Sequence, residues 1–182
     1  MNNDILYNRK IARIVTAVLI VASFLGGGVK SINRLKTSAT DIFYNGATGD
    51  GFGIERDIGH KIEFTFNMIT VASRYIPDDN AVKQLESARS DLINSKSIAD
   101  KSKNNLRLNE SATALYDRLG QENLSESDAK YRENIYTDIK ARNNMIMNDG
   151  YNKEAREFNR KLDVFPASLI KSLRLVSELP LF

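Results

Sequence analysis

Three groups of residues have the types and spacing that chemistry could use. The first is residues 151–166, YNKEAREFNRKLDVFP, where an aromatic returns every seven residues at Tyr151, Phe158 and Phe165, and asparagines Asn152 and Asn159 follow two of them. Seven residues is nearly two helical turns, so the rings fall on one stripe of a helix with amides beside it. Left open, such a stripe lines a small-molecule groove. Packed, it is a core seam whose asparagines fix register, which is the commoner outcome for an apolar stripe. The second group is residues 45–53, NGATGDGFG, with four glycines in nine residues that could cradle a phosphate. That use needs a strand before the loop and a GK[ST] step after it. Neither is present, so the stretch reads as a flexible connection. The third is His60, the only histidine. With no second histidine and no cysteine to join it, it reads as a partly exposed helix residue and not as a metal ligand or base.

Composition excludes much of the remaining chemistry. Cysteine is absent, which removes disulfides, thiolate metal sites and a cysteine nucleophile. Glu-x-x-His, the mark of a carboxylate-bridged di-metal bundle, does not occur. Acids are numerous but fall on the polar faces of charge-rich helices, with no reason to pair two of them in an apolar pocket. The expectation is a non-enzyme with no cofactor and no metal. The pI near 9.0 invites a nucleic-acid partner, but the charge is misplaced for one. Up to Lys36 six basic residues face one acid, Asp4, a balance of +5 in a chain of net charge +3, so the rest of the chain carries −2. A nucleic-acid binder carries its positive patch on the folded domain, and none is expected here.

The elements that must position these residues begin with an apolar run. Residues 14–29, IVTAVLIVASFLGGGV, hold no charge and are apolar on every face. At 1.5 Å per residue they cover about 24 Å of a hydrocarbon core roughly 30 Å thick. Ile11 and Ala12 extend the run, and Arg13 and Lys30 can snorkel to the two interfaces, so a single membrane span fits. A cleaved secretory signal fits the same basic, apolar and small-residue order. Against cleavage, Ile32, Leu35, Ala39 and Ile42 keep helical spacing beyond the glycines, which suits a retained anchor. The flanking charges tie, with Arg9, Lys10 and Arg13 before the run and Lys30, Arg34 and Lys36 after it, so they give no orientation.

Beyond the loop the pattern is that of a bundle. Ile58, Ile62, Thr65, Ile69, Ala72 and Ile76 step 4,3,4,3,4, and after a turn at Pro77 the series Ala81, Leu85, Ala88, Leu92, Ser95, Ala99 repeats it. Lys83, Glu86, Arg89, Asp91, Lys96, Asp100, Lys101 and Lys103 then fall on a solvated face. Leu108, Leu115 and Leu119 predict a further helix ending at Gly120, and Ser125 with Asp128 forms a capping box for the last long one. That helix carries Ile135, Ile139 and Ile146 into Ala155, Phe158, Leu162 and Phe165, with Gly150 as a place where it could break. The tail after Pro166 is moderately apolar and suited to fold back or to touch a membrane surface.

The YN, FN and FP steps at seven-residue spacing resemble the C-terminal signature of the LemA family, bacterial membrane proteins with a helical bundle behind one N-terminal transmembrane segment. The stretch HKIEFTFNMITVASRY resembles that family's segment that pairs basic residues with a downstream PNL. His60 and Lys61 match its two basic residues and Asn67 its asparagine, while Phe66 and Met68 replace its proline and leucine, which implies a straighter helix. The glycine-rich loop looks like an insertion in the family's pattern. The expected architecture is all-α, an N-terminal transmembrane helix continuing into an antiparallel bundle of about four long helices. Residues 1–30 would be tail and anchor, 31–166 bundle and 167–182 a C-terminal tail. The signature residues Asn67, Tyr151, Asn152, Phe158, Asn159, Phe165 and Pro166 are expected to be structural. The resemblance implies a bundle on the cytoplasmic side of the cell membrane. The expected partners are the lipid bilayer, through residues 14–29, and a protein partner or further copies of the chain. The expected role is scaffolding or interaction, against the alternative of an extracytoplasmic sensory or small-ligand-binding bundle, anchored or released by signal cleavage.

Overall fold

The computed structural model describes residues 9–182; the N-terminal tail, residues 1–8 with Asp4, lies outside the described residues. All regular structure among them is helical: α1 (Arg9–Asn45), α2 (Ile54–Ala72), α3 (Asn80–Ile93), α4 (Ile98–Leu119), α5 (Glu126–Asn148), α6 (Gly150–Leu162) and α7 (Ala167–Ser172). The helix boundaries follow from capping chemistry. Asp79 caps α3 by accepting from the Ala81 N–H at 2.8 Å, and Ser97 caps α4 by accepting from the Asp100 N–H at 3.0 Å. At α5 the Ser125 hydroxyl accepts from the Asp128 N–H at 3.1 Å, as the capping box predicts. The reciprocal arm is relayed. The Tyr75 hydroxyl accepts from the Ser125 N–H at 3.1 Å and donates to the Asp128 carboxylate at 2.7 Å. That bond and the Arg74 guanidinium, 2.7 Å from Asp128, hold the Asp128 carboxyl below its usual range.

The chain divides into two compact units. One comprises the described part of Met1–Ser38 with Glu157–Glu178, so it holds most of α1, the end of α6, and α7. Here α1 runs through Gly26, Gly27 and Gly28 without interruption, and Ile14, Val18, Leu19, Ile20 and Val21 are all exposed. Among the described residues it is the one helix long and apolar enough to cross a membrane, and none of its most apolar window is buried. The core of this unit is Ile32, Phe158, Leu162, Ile170 and Val176. The Lys36 ammonium donates to the Ser177 hydroxyl at 2.8 Å and to its carbonyl at 3.2 Å.

The other unit, Ala39–Arg156 with Leu179–Phe182, is the bundle proper. In it α2 packs chiefly on α5 and also on α3 and α4, while α3 packs along α4. Buried Ile58, Thr65, Ile69 and Ala72 line α2, and Leu85, Ala88 and Leu92 line α3, as their spacing predicts. These boundaries differ from the sequence division. Residues 31–38 and 157–166 group with the apolar part of α1, and residues 179–182 group with the bundle.

Three expectations are corrected. The seam of α3 does not run on through Ser95 and Ala99, because α3 stops at Ile93 and Ser97 starts a new helix, resetting the phase so that Ile98 is buried and Ala99 exposed. Lys101 therefore leaves the solvated face. Its ammonium is 2.5 Å from the Glu55 carboxylate and 5.9 Å from the centre of the Phe43 ring. The last long helix does break beside Gly150, where the sequence allowed it: the extended backbone of Asp149 (φ −64°, ψ 147°) separates α5 from α6. Finally, Phe165 lies beyond the end of α6 and is 73% exposed, so the aromatic stripe ends at Phe158.

Gly53, just before α2, has ordinary backbone angles (φ −80°), yet a Cβ there would meet the Phe43 carbonyl oxygen at 2.5 Å and the Tyr44 carbonyl carbon at 2.8 Å. Backbone cannot step aside cheaply. Gly53→Ala is expected to cost about 1–3 kcal/mol in thermal unfolding, the usual range for forced overpacking.

Candidate functional site

A buried polar constellation in the bundle unit is centred on Lys61, a residue with no exposed surface on α2. Its ammonium donates to the amide oxygens of Asn105 and Asn109 on α4, both at 2.5 Å, and to that of Asn143 on α5 at 3.4 Å. Asn109 in turn donates to the Asn143 oxygen at 2.7 Å. Three N–H donors therefore face three neutral acceptors, which is the full complement an ammonium can use. No carboxylate touches it. Burial pulls the Lys61 ammonium down to about 7, opposed by the charge of Asp57, itself 2.9 Å from Arg142.

A cavity of about 150 Å³ adjoins this knot, lined by Asn109, Thr113, Tyr136, Ile139, Lys140 and Asn143. Tyr136 stacks on Tyr116 with ring centroids 3.9 Å apart, and its hydroxyl is 3.1 Å from that of Thr113. Lys61 is not among the lining residues; Asn109 and Asn143 stand there instead. A lysine titrating near neutrality can serve as a nucleophile or base when a substrate reaches it. Here every proton of the amine is committed to an amide, so the arrangement joins α2, α4 and α5 rather than presenting a reactive group.

The sequence contained the signal for this knot. Carrying the seam Leu108, Ala112, Leu115, Leu119 one step back lands on Asn105, and the α2 stripe Ile54, Ile58, Thr65, Met68, Ala72 admits Lys61 at the same spacing. Polar residues at seam positions of two helices mark a polar layer. Reading Ile62 in place of Lys61 hid it.

The signature residues are distributed over both units. Tyr151 is wholly buried in the bundle unit, its hydroxyl donating to the Pro180 carbonyl at 2.7 Å and its ring meeting Phe43 edge-on at 5.3 Å. Asn152 donates to the Ile146 carbonyl at 3.3 Å and accepts from the Phe182 N–H at 2.9 Å. It is thereby a second donor to a last-turn carbonyl of α5 that also accepts from the Asp149 N–H at 3.3 Å. Phe158 is buried and Asn159 half-buried in the other unit, where the cis Phe165-Pro166 step is exposed. Asn67 is half-exposed on α2 and is not brought to the others. His60 lies 3.7 Å from Glu63, partly exposed as expected.

The glycine-rich loop does not offer a phosphate cradle. Its N–H groups at Gly46, Gly49, Gly51 and Phe52 are used internally by the Ile42, Gly46 and Asn45 carbonyls and by the Asp50 carboxylate. The Thr48 hydroxyl also donates to Asp50, and these bonds hold the Asp50 carboxyl below its usual range. Among the described residues no group of three or more histidine, cysteine or carboxylate side chains could hold a metal ion. The chain matches no protein family model, no curated protein sequence and no solved structure.

Proposed function

We propose that this chain is a single-pass membrane protein of LemA type whose helical bundle serves as a non-catalytic scaffold or interaction module on the cytoplasmic face of the cell membrane. One observation carries the membrane part: the apolar stretch of α1 is exposed from Ile14 to Phe24, with Ile14 63%, Val18 60%, Leu19 61% and Ile20 64% open. A helical stretch that is hydrophobic all round and left unburied by its own chain has the composition of a bilayer span. The signature supports the family reading because two of its residues build one junction, Asn152 closing the end of α5 while Tyr151 clasps residues 180–182. The scaffold role rests on the bundle's polar interior being consumed by helix-to-helix bonding.

Alkaline carbonate extraction of membranes from cells making the full chain tests the anchor, which predicts retention in the pellet. Recovery of the protein in the supernatant would overturn it. Because cysteine is absent, Lys153→Cys at an exposed α6 position gives a single thiol for orientation. In intact cells a membrane-impermeant thiol reagent is expected to leave it unlabelled until the cells are lysed. Labelling before lysis would place the bundle outside.

A further inference from the structure

The unit holding the apolar part of α1 contains a second exposed apolar surface. Within residues 164–175, Val164, Phe165, Leu169, Leu173 and Leu175 are exposed by 58%, 73%, 47%, 56% and 50%. Water is a poor environment for five such side chains in so short a stretch. Their position along α1 bears on what covers them. Ile170, 1% exposed, rests directly on α1 at Gly28, where a Cβ would come within 2.7 Å of its Cδ1. A cleft of about 410 Å³ is shared by Ser23, Phe24 and Gly27 of α1 with Pro166, Ala167 and Ile170.

Residues 166–170 therefore lie beside residues 23–28, the last part of the apolar run that ends at Val29. At 1.5 Å per residue Ser23 is about 9 Å short of that end. Interfacial apolar segments bury themselves about 5–10 Å into the headgroup and acyl boundary. The two depths coincide. Exposed Lys30, Arg34, Arg160 and Arg174 belong to the same unit and supply charges that suit an anionic leaflet.

We propose that residues 164–175 form an interfacial foot, with Phe165 and its apolar neighbours seated among lipid acyl chains in the leaflet through which residues 23–28 of α1 emerge. This rests on the reading of α1 as a bilayer span. It accounts for an aromatic of the sevenfold repeat that leaves the protein core: Phe165 contacts lipid where Tyr151 and Phe158 contact protein. The occupant is the bilayer because the foot is continuous with the lipid-facing surface of α1 and at matching depth.

The absence of tryptophan makes the test direct. Full-length Phe165→Trp, Leu169→Trp and, as a reporter for the span, Leu19→Trp are reconstituted separately into phosphatidylcholine and phosphatidylglycerol vesicles. The acyl chains carry bromine either close to the headgroup or near the bilayer centre. The Leu19→Trp emission is expected to be lost most with deep bromines. Emission of both foot variants is expected to be lost most with shallow bromines and shifted to shorter wavelength relative to the unfolded protein. Two foot variants guard against one substitution disturbing the fold. Quenching of Leu19→Trp with no quenching of either foot variant would overturn the foot and leave the span standing; this includes the case where a second copy of the chain covers it. If no variant is quenched, the span fails and takes the foot with it.

Discussion

Replacing Tyr151 by alanine is expected to lower the stability of the detergent-solubilised chain by about 3–5 kcal/mol, the range for truncating a fully buried aromatic. In thermal unfolding this is a fall on the order of 10 °C. The size follows from what the side chain does at once. Its ring fills a site with no exposed surface, edge-on to Phe43 at 5.3 Å and to Phe182 at 6.4 Å. Its hydroxyl satisfies the Pro180 carbonyl at 2.7 Å, while the next residue, Asn152, accepts from the Phe182 N–H. Losing the ring unpacks the contact by which residues 179–182 join the bundle. Tyr151→Phe separates the two contributions, removing the hydroxyl alone at about 1–2 kcal/mol. Burial also pushes the phenol far above its usual range. In the sign convention for linkage, an acid held neutral by folding gives stability that is complete below the unfolded value near 10 and is lost as the pH climbs past it. Alkaline destabilisation of the native chain above about pH 10 should therefore shrink in Tyr151→Phe. If Tyr151→Ala melted with the native protein, the ring would be lining an open groove, and the ligand-binding reading would gain at the scaffold's expense.

How much of this was legible in the sequence depends on whether the signal is local. The apolar run of α1, its continuation past three glycines, the loop before Ile54, the turn at Pro77 and the cap at Ser125 are written in adjacent residues, and each was readable. Ser97 was equally local, three residues before Asp100, but the 4,3,4 rhythm of alanines and serines ran through it. Small residues satisfy a seam and a turn alike, so the rhythm carried the phase into a helix that had already ended. The heptad of aromatics failed for a different reason. Spacing places Phe165 on the stripe only while the helix lasts, and α6 ends at Leu162. Least legible was the partnership of Lys61 with Asn105, Asn109 and Asn143, because the acceptors come from two other helices and their meeting is a property of the packing. A polar residue at a seam position announces that some partner exists without naming it.

Asn105→Leu is expected to cost about 2–3 kcal/mol near neutral pH, since it leaves a buried ammonium short of one acceptor, and a hydrogen bond to a charged group contributes more than a neutral one. The direction of the pH dependence distinguishes this from simple repacking. Lys61 is pulled down to about 7 in the fold from an ordinary 10.5, so between those values the unfolded chain holds the extra proton. Stability contributed by this group consequently rises with pH from about 7 to 10.5 and is at its lowest, and flat, below that window. In Asn105→Leu the ammonium is poorer still in acceptors, so its proton leaves at lower pH and the destabilisation measured at pH 6 should exceed that at pH 9. Lys61→Met removes the titrating amine and is expected to flatten this part of the curve. Combining the two should then cost less than their sum, because an apolar pair replaces a donor and its acceptor together and neither is left buried alone. Denaturant unfolding of the four proteins at both pH values closes the cycle. Equal costs for Asn105→Leu at pH 6 and pH 9, or strict additivity with Lys61→Met, would mean that the amine is not held as an ammonium by these amides and that the three helices are joined by their apolar seams alone.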